Sequence, residues 1–262
     1  MDGATPAAVE APGGRYPEDL AYIHASGFSE LAAIAGPAIV GLLRDAGIDG
    51  GLVVDLGCGN GMTSRSLLEA GYDVLGIDTS QPFLRRARRE APGARFRQGS
   101  FLDEPLPECS GVIAVGEVLA YTQRSLEPVF RRVYRALRPG GLFVFDLPAP
   151  GRVPNGGPAR SWRQGDDWAI LVATTEDRRR RLLRRRMTTF RRTERGWRRG
   201  REAHLQRLHP PSATAARLRR LGFRVRTRRG YTGKRFAPGH YVVVARKASG
   251  ARARPRRGTG ED

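Results

Sequence analysis

The chain has 262 residues, 40% of them hydrophobic, and a formal net charge of +20. This length suits one large α/β domain with an insertion, and no apolar run approaches the roughly 18 residues that a membrane-spanning helix needs. The N-terminus lacks the features of a secretory signal, and the two cysteines, Cys58 and Cys109, form neither a disulfide framework nor a zinc motif. We therefore expect a cytoplasmic protein that binds no metal.

The positive charge is almost entirely arginine, since Lys234 and Lys247 are the only lysines. A basic chain ordinarily suggests a nucleic-acid partner. GC-rich coding, however, also enriches arginine without any binding function. The charge is therefore weak evidence for nucleic acid, and we expect neither a nucleic-acid nor a membrane partner.

Residues 1–15 are rich in Ala, Pro and Gly, which predicts a disordered N-terminus. Between Ser29 and Ile48, apolar residues recur every three or four positions, which predicts an amphipathic helix that Gly47 ends. We assign residues 16–48 to an N-terminal helical cover.

Residues 49–150 alternate between apolar strands and helices. GLVVDLG, YDVLGID, ARFRQG, GVIAVGE and LFVFDL are predicted as strands, and MTSRSLLEAG, QPFLRRARRE and LEPVFRRVYRALRPGG as helices. Ser80 can cap the second of these helices, with Pro82 in its first turn. Apolar strands separated by helices predict a parallel sheet that is covered on both faces.

The alternation breaks at residues 151–209, where three long β-prone runs separated by charged turns predict an inserted antiparallel meander. Residues 210–247 are expected to complete the core with a helix and two strands. No helix lies between those two strands, so they must be antiparallel. Residues 248–262 are charged and lack apolar periodicity, which predicts a disordered basic tail.

The strongest local signal is VVDLGCGNG, at the first strand-to-helix turn. Its glycines let the backbone approach a ligand closely. A dinucleotide motif would place its third glycine where this chain has Met62. Asp55 would repel a pyrophosphate but suits a cationic ligand, and Asp78, about 20 residues beyond the loop, can accept both hydroxyls of an unphosphorylated ribose.

Together, VVDLGCGNG, GIDTS, QGSFLD and RRVYRALRPGGLFVFD resemble the successive motifs of class I S-adenosylmethionine-dependent methyltransferases. The resemblance implies a Rossmann-like, doubly wound, mostly parallel sheet of seven strands with an antiparallel last strand, an inserted β-meander lid, and S-adenosylmethionine as cofactor. It implies cofactor contacts from Asp55, Gly57, Cys58, Gly59, Asn60, Gly61, Asp78, Thr79, Ser100, Phe101 and Gly116.

The chain departs from the family's pattern at Ser100, where an aspartate commonly accepts a hydrogen bond from the adenine amino group. Asp103 is the alternative acceptor. In this family the stretch before the first helix often folds over the cofactor, so Tyr22, His24 and Phe28 are candidate cover residues.

The methyl acceptor is expected beyond the fourth and fifth strands. The candidate base or orienting residues are Glu117, Tyr121 and His24. Asp146 ends an apolar strand and can serve either the cleft or a loop hydrogen bond.

On the insertion, His204 and His209 are expected at the surface, with a base role as the alternative. Trp162 and Trp168 can either wall the acceptor pocket or pack in a core. If the insertion is a lid, most of the arginines from Arg178 to Arg186 should face solvent.

After the fourth strand this chain has Val-Gly-Glu-Val instead of the Asn-Pro-Pro-Tyr type of signature that recognises a target base. We therefore predict methyl transfer to an oxygen or nitrogen of a small metabolite. The alternatives are an RNA methyltransferase that uses the arginine-rich insertion and a non-catalytic S-adenosylmethionine-binding protein.

Overall fold

The computed structural model describes residues 18–249. The predicted N-terminal segment and residues 250–262 of the predicted tail lie outside the described residues. The described helices are α1 Glu18–Gly27, α2 Glu30–Asp45, α3 Met62–Glu69, α4 Gln81–Glu90, α5 Glu127–Ala136 and α6 Pro211–Arg220. The described strands are β1 Leu52–Leu56, β2 Asp73–Asp78, β3 Arg95–Gln98, β4 Cys109–Ala114, β5 Leu137–Pro148, β6 Ala159–Gln164, β7 Trp168–Asp177, β8 Leu182–Thr193, β9 Gly196–Arg207, β10 Phe223–Arg228, β11 Gly230–Tyr231, β12 Lys234–Arg235 and β13 His240–Lys247.

The main sheet has seven strands in the order β10-β13-β5-β4-β1-β2-β3. Only β13 runs antiparallel to its neighbours, β5 and β10. Helices α3, α4, α5 and α6 precede β2, β3, β5 and β10, and a loop without a helix leads to β4, whereas β13 follows β10 without a helix and reverses. The predicted mostly parallel sheet with an antiparallel last strand is confirmed.

The core lies on both faces of this sheet. Phe130 of α5 packs against Phe143 and Phe145 of β5, and all three are at most 1% exposed. Burying each such ring stabilises the fold by about 1.5–3 kcal/mol. On the opposite face, Ile39 and Leu43 of α2 belong to a second buried cluster. The two layers hold the loops at the strand ends in place.

Two local features decide where helices begin and end. Ser80 caps α4 as predicted, its hydroxyl accepting from the Phe83 amide at 3.4 Å. The predicted helix LEPVFRRVYRALRPGG is too long, since α5 ends at Ala136 and β5 begins at Leu137. The Lys247 ammonium donates to the Tyr134 and Leu137 carbonyls at 2.7 and 2.6 Å, so it satisfies one carbonyl that the ended helix leaves open and the first carbonyl beyond it.

A second sheet, formed by β6-β7-β8-β9, is antiparallel throughout and lies in the chain between β5 and α6. Three of its strands match the predicted meander. The sequence did not predict β6, an edge strand, because all six of its residues are exposed and carry no apolar alternation.

Helix α1 joins the second sheet to the main domain. Leu20 and Ile23 of α1 share a buried cluster with Trp168 and Ile170 of β7. Within the described residues no single helix has the length and apolarity to span a membrane; α1 and α2 reach those values only as a pair, which is bent by 65°.

Candidate functional site

A cavity of about 660 Å³ opens at the edge where the parallel strands end. Its walls come from α1 and α2, from the loops after β1, β2, β3 and β4, and from one face of the second sheet. Ligands bind at this edge in open α/β sheets, and the volume lies within the roughly 300–1,000 Å³ of small-molecule sites. Of the cofactor contacts and the three candidate base or orienting residues predicted above, all but Asp55 and Gly61 line this cavity.

The glycine loop supplies backbone instead of side chains to the cavity. Gly57 has φ of +65°, and a Cβ there would lie 2.4 Å from a Val118 methyl group. Gly59 and Gly116 also have positive φ, and a Cβ on either would meet nothing within 4 Å. Gly57 is thus required by close packing, while Gly59 and Gly116 leave open space that a ligand can fill.

Asp78 closes the loop at the end of β2. Its carboxylate accepts from the Gly59 amide at 2.9 Å and from the Ser80 amide at 2.8 Å. Burial raises the pKa of Asp78, and the amides of Ser80, Gly59 and Thr79 oppose that shift. A carboxylate has about four acceptor positions, so Asp78 can also accept ligand hydroxyls.

Two predicted cofactor residues face elsewhere. Asp55 is 2% exposed and accepts from the Ser64 hydroxyl at 2.8 Å, so it supports the start of α3 from behind the loop and makes no direct contact with the cavity. Burial raises the pKa of Asp55 to about 7, although the Ser64 hydrogen bond opposes the shift. Gly61 has φ of +85°, and a Cβ there would lie 2.9 Å from Ala87 Cα, so it allows α4 to approach.

The loop after β3 presents Ser100, Phe101 and Leu102 to the cavity. The Ser100 hydroxyl accepts from the Leu102 amide at 3.1 Å, and the Arg132 guanidinium donates to the carbonyls of Phe101 and Leu102. The alternative acceptor Asp103 is not available, since its side chain is 71% exposed and pairs with Arg124 at 3.7 Å. This wall therefore offers the apolar side chains of Phe101 and Leu102, and its polar groups are the backbone and the Ser100 hydroxyl.

The cover is formed by His24 and Phe28, whose stacked rings have centroids 5.6 Å apart. Burial, with His204 nearby, lowers the pKa of His24 to about 4, so its imidazole is neutral at neutral pH. Tyr22 does not line the cavity: its hydroxyl donates to Asp167 at 2.9 Å and its ring contacts Arg191, which ties α1 to the second sheet.

Glu117 follows β4 in the left-handed conformation, with φ of +60°. Asp146 holds this loop, since its carboxylate accepts from the Gly116 and Glu117 amides at 2.9 and 2.5 Å. Of the two roles open to Asp146, the structure shows the loop hydrogen bond. The Glu117 carboxylate lies 2.9 Å from Arg185 and 3.2 Å from Arg152.

Burial acts to raise the pKa of Glu117, but the charges of Arg185, Arg152 and His240 and the Gln206 hydrogen bond outweigh it and hold this pKa below its usual value. Glu117 is therefore an ionised partner of two arginines, which weakens it as a proton acceptor.

Tyr121 lines the cavity next to His204, with ring centroids 5.6 Å apart in an edge-on arrangement. His204 lies on β9 and is 6% exposed, so the expectation of a surface position is wrong. Its Nε2 atom lies 3.1 Å from the Glu202 carboxylate. A carboxylate on one ring nitrogen fixes the tautomer and directs the other nitrogen, as in many base sites.

The remaining candidate residues of the insertion, His209, Trp162 and Trp168, do not line the cavity. His209 is also buried, and its backbone amide donates to the Pro148 carbonyl at 2.9 Å. Trp162 is 67% exposed on the other face of β6, so both expectations for it, the pocket wall and core packing, are wrong. Trp168 is 6% exposed and packs on α1, which is the core alternative.

The sequence did not predict Arg152, Arg185 or His240 at the cavity. The sequence carried a usable signal for two of them. Arg185 lies two residues from both Leu183 and Met187 on β8, so it shares their inward-facing side of the strand. His240 begins a strand that is antiparallel to β5, so it lies where β5 ends. Arg152 lies in an irregular segment that carries no such signal.

Residues 53–141 match the family profile described as a methyltransferase domain. Over 139 residues the chain is 33% identical to a cypemycin N-terminal methyltransferase from a Streptomyces species, an overlap of 49% of this chain and 56% of that protein. Over 102 residues it is 42% identical to the trans-aconitate 2-methyltransferase of Methylobacterium nodulans, an overlap of 37% and 38%. The chain thus spans about half or less of the length of these curated relatives.

Among solved structures, a sugar N-methyltransferase from Streptoalloteichus superposes with a TM-score of 0.74 at 20% identity, over 95% of this chain and 98% of that one. At this identity the likeness shows the fold alone. The fold is therefore the one that solved methyltransferases share. Within it, residues 53–141 are the methyltransferase domain that the sequence motifs indicated.

Proposed function

We propose that this protein transfers a methyl group from S-adenosylmethionine to an oxygen or nitrogen atom of a small molecule. The observation that carries the proposal is the single cavity in which the glycine loop, Asp78 and the inner face of the second sheet meet. One end has the features of a nucleoside site, and the other is enclosed by an insertion. An acceptor small enough to fit this space can be held next to the methyl donor.

The residues present fit the cofactor. The open space over Gly59 and Gly116 would take its amino-acid part, Asp78 would accept the ribose hydroxyls, and Phe101 and Leu102 would contact the adenine. When bound, S-adenosylmethionine supplies a methyl group to the acceptor's lone pair while the carbon–sulfur electron pair stays on sulfur and an acceptor proton is lost to a base. Positioning in the closed cavity is the main contribution of the chain.

For the acceptor proton, the contacts favour His204 with its Glu202 partner, and Tyr121 beside it. His24 is neutral and also lines the cavity, so it stays a candidate. Glu117 is better suited to position groups through its arginine partners than to accept a proton.

The names of two of the proteins compared above support a small acceptor. One is named for trans-aconitate and one structural neighbour for a sugar, and both are small molecules. We extend that substrate class to this chain, while the acceptor atom stays open between oxygen and nitrogen.

The RNA alternative has one observation in its favour. Arg184 and Arg186 of β8 are exposed, and the exposed Trp162 and Trp197 lie on the same sheet. Arginine and aromatic side chains together can bind single-stranded nucleic acid. Against it, the cavity faces the opposite side of this sheet, since Arg185 and Met187 line it while Arg184 and Arg186 do not.

Calorimetric titration with S-adenosylmethionine, S-adenosylhomocysteine and NAD tests the cofactor assignment. We expect the first two to bind and NAD not to bind, because Met62 replaces the third glycine of a dinucleotide loop. Tight NAD binding without binding of either sulfur compound would disprove the assignment.

Screening metabolite extracts with isotopically labelled cofactor then tests turnover. Label transfer to a small molecule supports the proposed activity. Cofactor binding with no transfer to any small-molecule fraction or RNA would instead favour the non-catalytic alternative.

A further inference from the structure

We propose that the cavity holds a carboxylate of the methyl acceptor, gripped by Arg152 and Arg185, while the methyl group goes to a different atom of that molecule. This inference rests on the proposed function and names the acceptor's chemical class. It starts from the polar end of the cavity, away from the glycine loop.

A row of polar side chains crosses the inner face of the second sheet. Paired residues on neighbouring strands are Thr174 with Arg185 and Arg185 with His204. All three line the cavity, and neighbouring strands lie about 4.8 Å apart. A hydroxyl, a guanidinium and an imidazole therefore stand side by side, at a spacing that a small polar ligand can bridge.

Arg152 adds a second guanidinium from the segment after β5. Arg152 and Arg185 both contact Glu117, yet their side chains stay 22% and 23% exposed and line the cavity. Each guanidinium has five N–H donors in a planar fork. The two Glu117 oxygens also receive Gln206, so they cannot accept all ten donors.

The charge balance favours an anion. Glu117 is the one acidic side chain among the described residues lining this end of the cavity, against two arginines. Asp146 lies beneath, and its carboxylate accepts hydrogen bonds from the Gly116 and Glu117 amides. An ammonium group would face both guanidinium groups, whereas a carboxylate matches the guanidinium fork in shape and charge.

The same contacts indicate that the carboxylate anchors the acceptor and is not itself methylated. A carboxylate held by two guanidinium groups is a weak nucleophile, because its lone pairs are taken by hydrogen bonds. His204 ends the row on β9 with Tyr121 beside it, and its imidazole is placed to accept a proton from a hydroxyl or amine elsewhere on the acceptor.

A chemical test on the wild-type protein needs no knowledge of the acceptor. A metabolite extract is treated with carbodiimide and methylamine, which convert carboxylates to amides, and a second portion is treated with alkaline phosphatase. We expect the first treatment to abolish label transfer and the second to leave it unchanged. Loss after phosphatase alone, or transfer that survives both treatments, overturns the proposal.

Variants locate the site. The variants are assayed with an extract fraction that supports activity. Arg185→Gln and Arg152→Gln should each raise the apparent KM for the acceptor about 10-fold to 100-fold, because each removes a charge-assisted hydrogen bond. Their affinity for S-adenosylhomocysteine should be unchanged. Arg184→Gln, one residue away but facing outward, is the matched control and should change neither value. Because Arg185→Gln leaves buried Glu117 short of a partner, Glu117→Gln/Arg185→Gln serves where the single variant unfolds.

A binding experiment separates failure of this proposal from failure of the proposed function. Protein saturated with S-adenosylhomocysteine is titrated with 4-hydroxybenzoate and succinate, each against its amide, and with inorganic phosphate. If no extract supports turnover, the proposed function fails by itself. Carboxylate binding that Arg185→Gln weakens and Arg184→Gln does not still supports the site. Equal binding of acids and amides, binding of phosphate alone, or no binding at all overturns it.

Discussion

Asp78 has two tasks at the residue scale, since it holds the glycine loop through the Gly59 amide and faces the cavity. We expect Asp78→Ala to weaken cofactor binding by about 1–3 kcal/mol, because a charged acceptor of ribose hydroxyls is lost. Isothermal titration with S-adenosylhomocysteine measures this loss of binding free energy. Asp103→Ala removes an exposed acid outside the cavity and is the control. Equal affinities of wild type and Asp78→Ala would leave Asp78 only its loop role.

His209 gives a pH dependence of stability. Burial, with Arg207 and Arg217 nearby, lowers its pKa from 6.5 to about 4. Between these values the unfolded chain binds a proton that the folded chain does not, so acidification through this window destabilises the fold, by roughly 3 kcal/mol at most for this group.

Urea unfolding of wild type and His209→Gln from pH 7 to pH 4 checks this effect. The wild type should lose stability relative to the variant as the pH falls below 6.5. A difference between the two proteins that does not change with pH would show that His209 titrates normally in the fold.

At the scale of elements, the contact between α1 and β7 fixes the cover over the cavity. A Cβ added at Gly27 would lie 2.3 Å from the Trp168 ring, so Gly27→Ala must displace one element. We expect a loss of about 1–3 kcal/mol in the free energy of unfolding, as for other overpacked sites.

Gly41 of α2 is the matched control, because a Cβ there would meet nothing within 4 Å. Gly41→Ala should stabilise the helix by about 0.5–1 kcal/mol. Thermal and urea unfolding of both variants measure the free energy of unfolding, which should fall for Gly27→Ala and rise for Gly41→Ala. A neutral Gly27→Ala would mean that α1 and the second sheet are not packed as described.

At the scale of the whole molecule, the question is whether the charge of +20 has a function. Apart from Arg185, the arginines from Arg178 to Arg186 are exposed, as expected for a lid. Arg184→Glu/Arg186→Glu should leave methylation of a small acceptor nearly unchanged, because exposed charges are screened beyond about 10 Å at 0.1 M salt.

The measurement is the initial rate on an active metabolite fraction, together with binding of structured RNA at several salt concentrations. If the chain acts on RNA, the double variant should lose activity, and wild-type binding should fall steeply with salt as phosphate counterions return. That pair of results would replace the small-molecule proposal with the RNA alternative.

The sequence by itself determined the parts of the molecule whose residues are neighbours along the chain. Alternating apolar strands and helices determine the parallel sheet, and the absence of a helix before β13 determines its reversal. Gly59 and Asp78 stand at the ends of consecutive strands, so the edge they share follows from chain order. The glycine loop and its ligand class were therefore predictable.

Tertiary structure alone decided the acceptor end of the cavity. The alternation along β8 groups Arg185 with Leu183 and Met187, but which face of the second sheet closes the cavity depends on how that sheet packs against α1. Likewise, Asp55 precedes the glycine loop directly, yet its side chain turns toward Ser64 and away from the cavity. Glu117 meets Arg152, Arg185 and His240 only because β4, β5, β8 and β13 converge at one place. Such contacts join residues far apart in sequence, and no local periodicity encodes them.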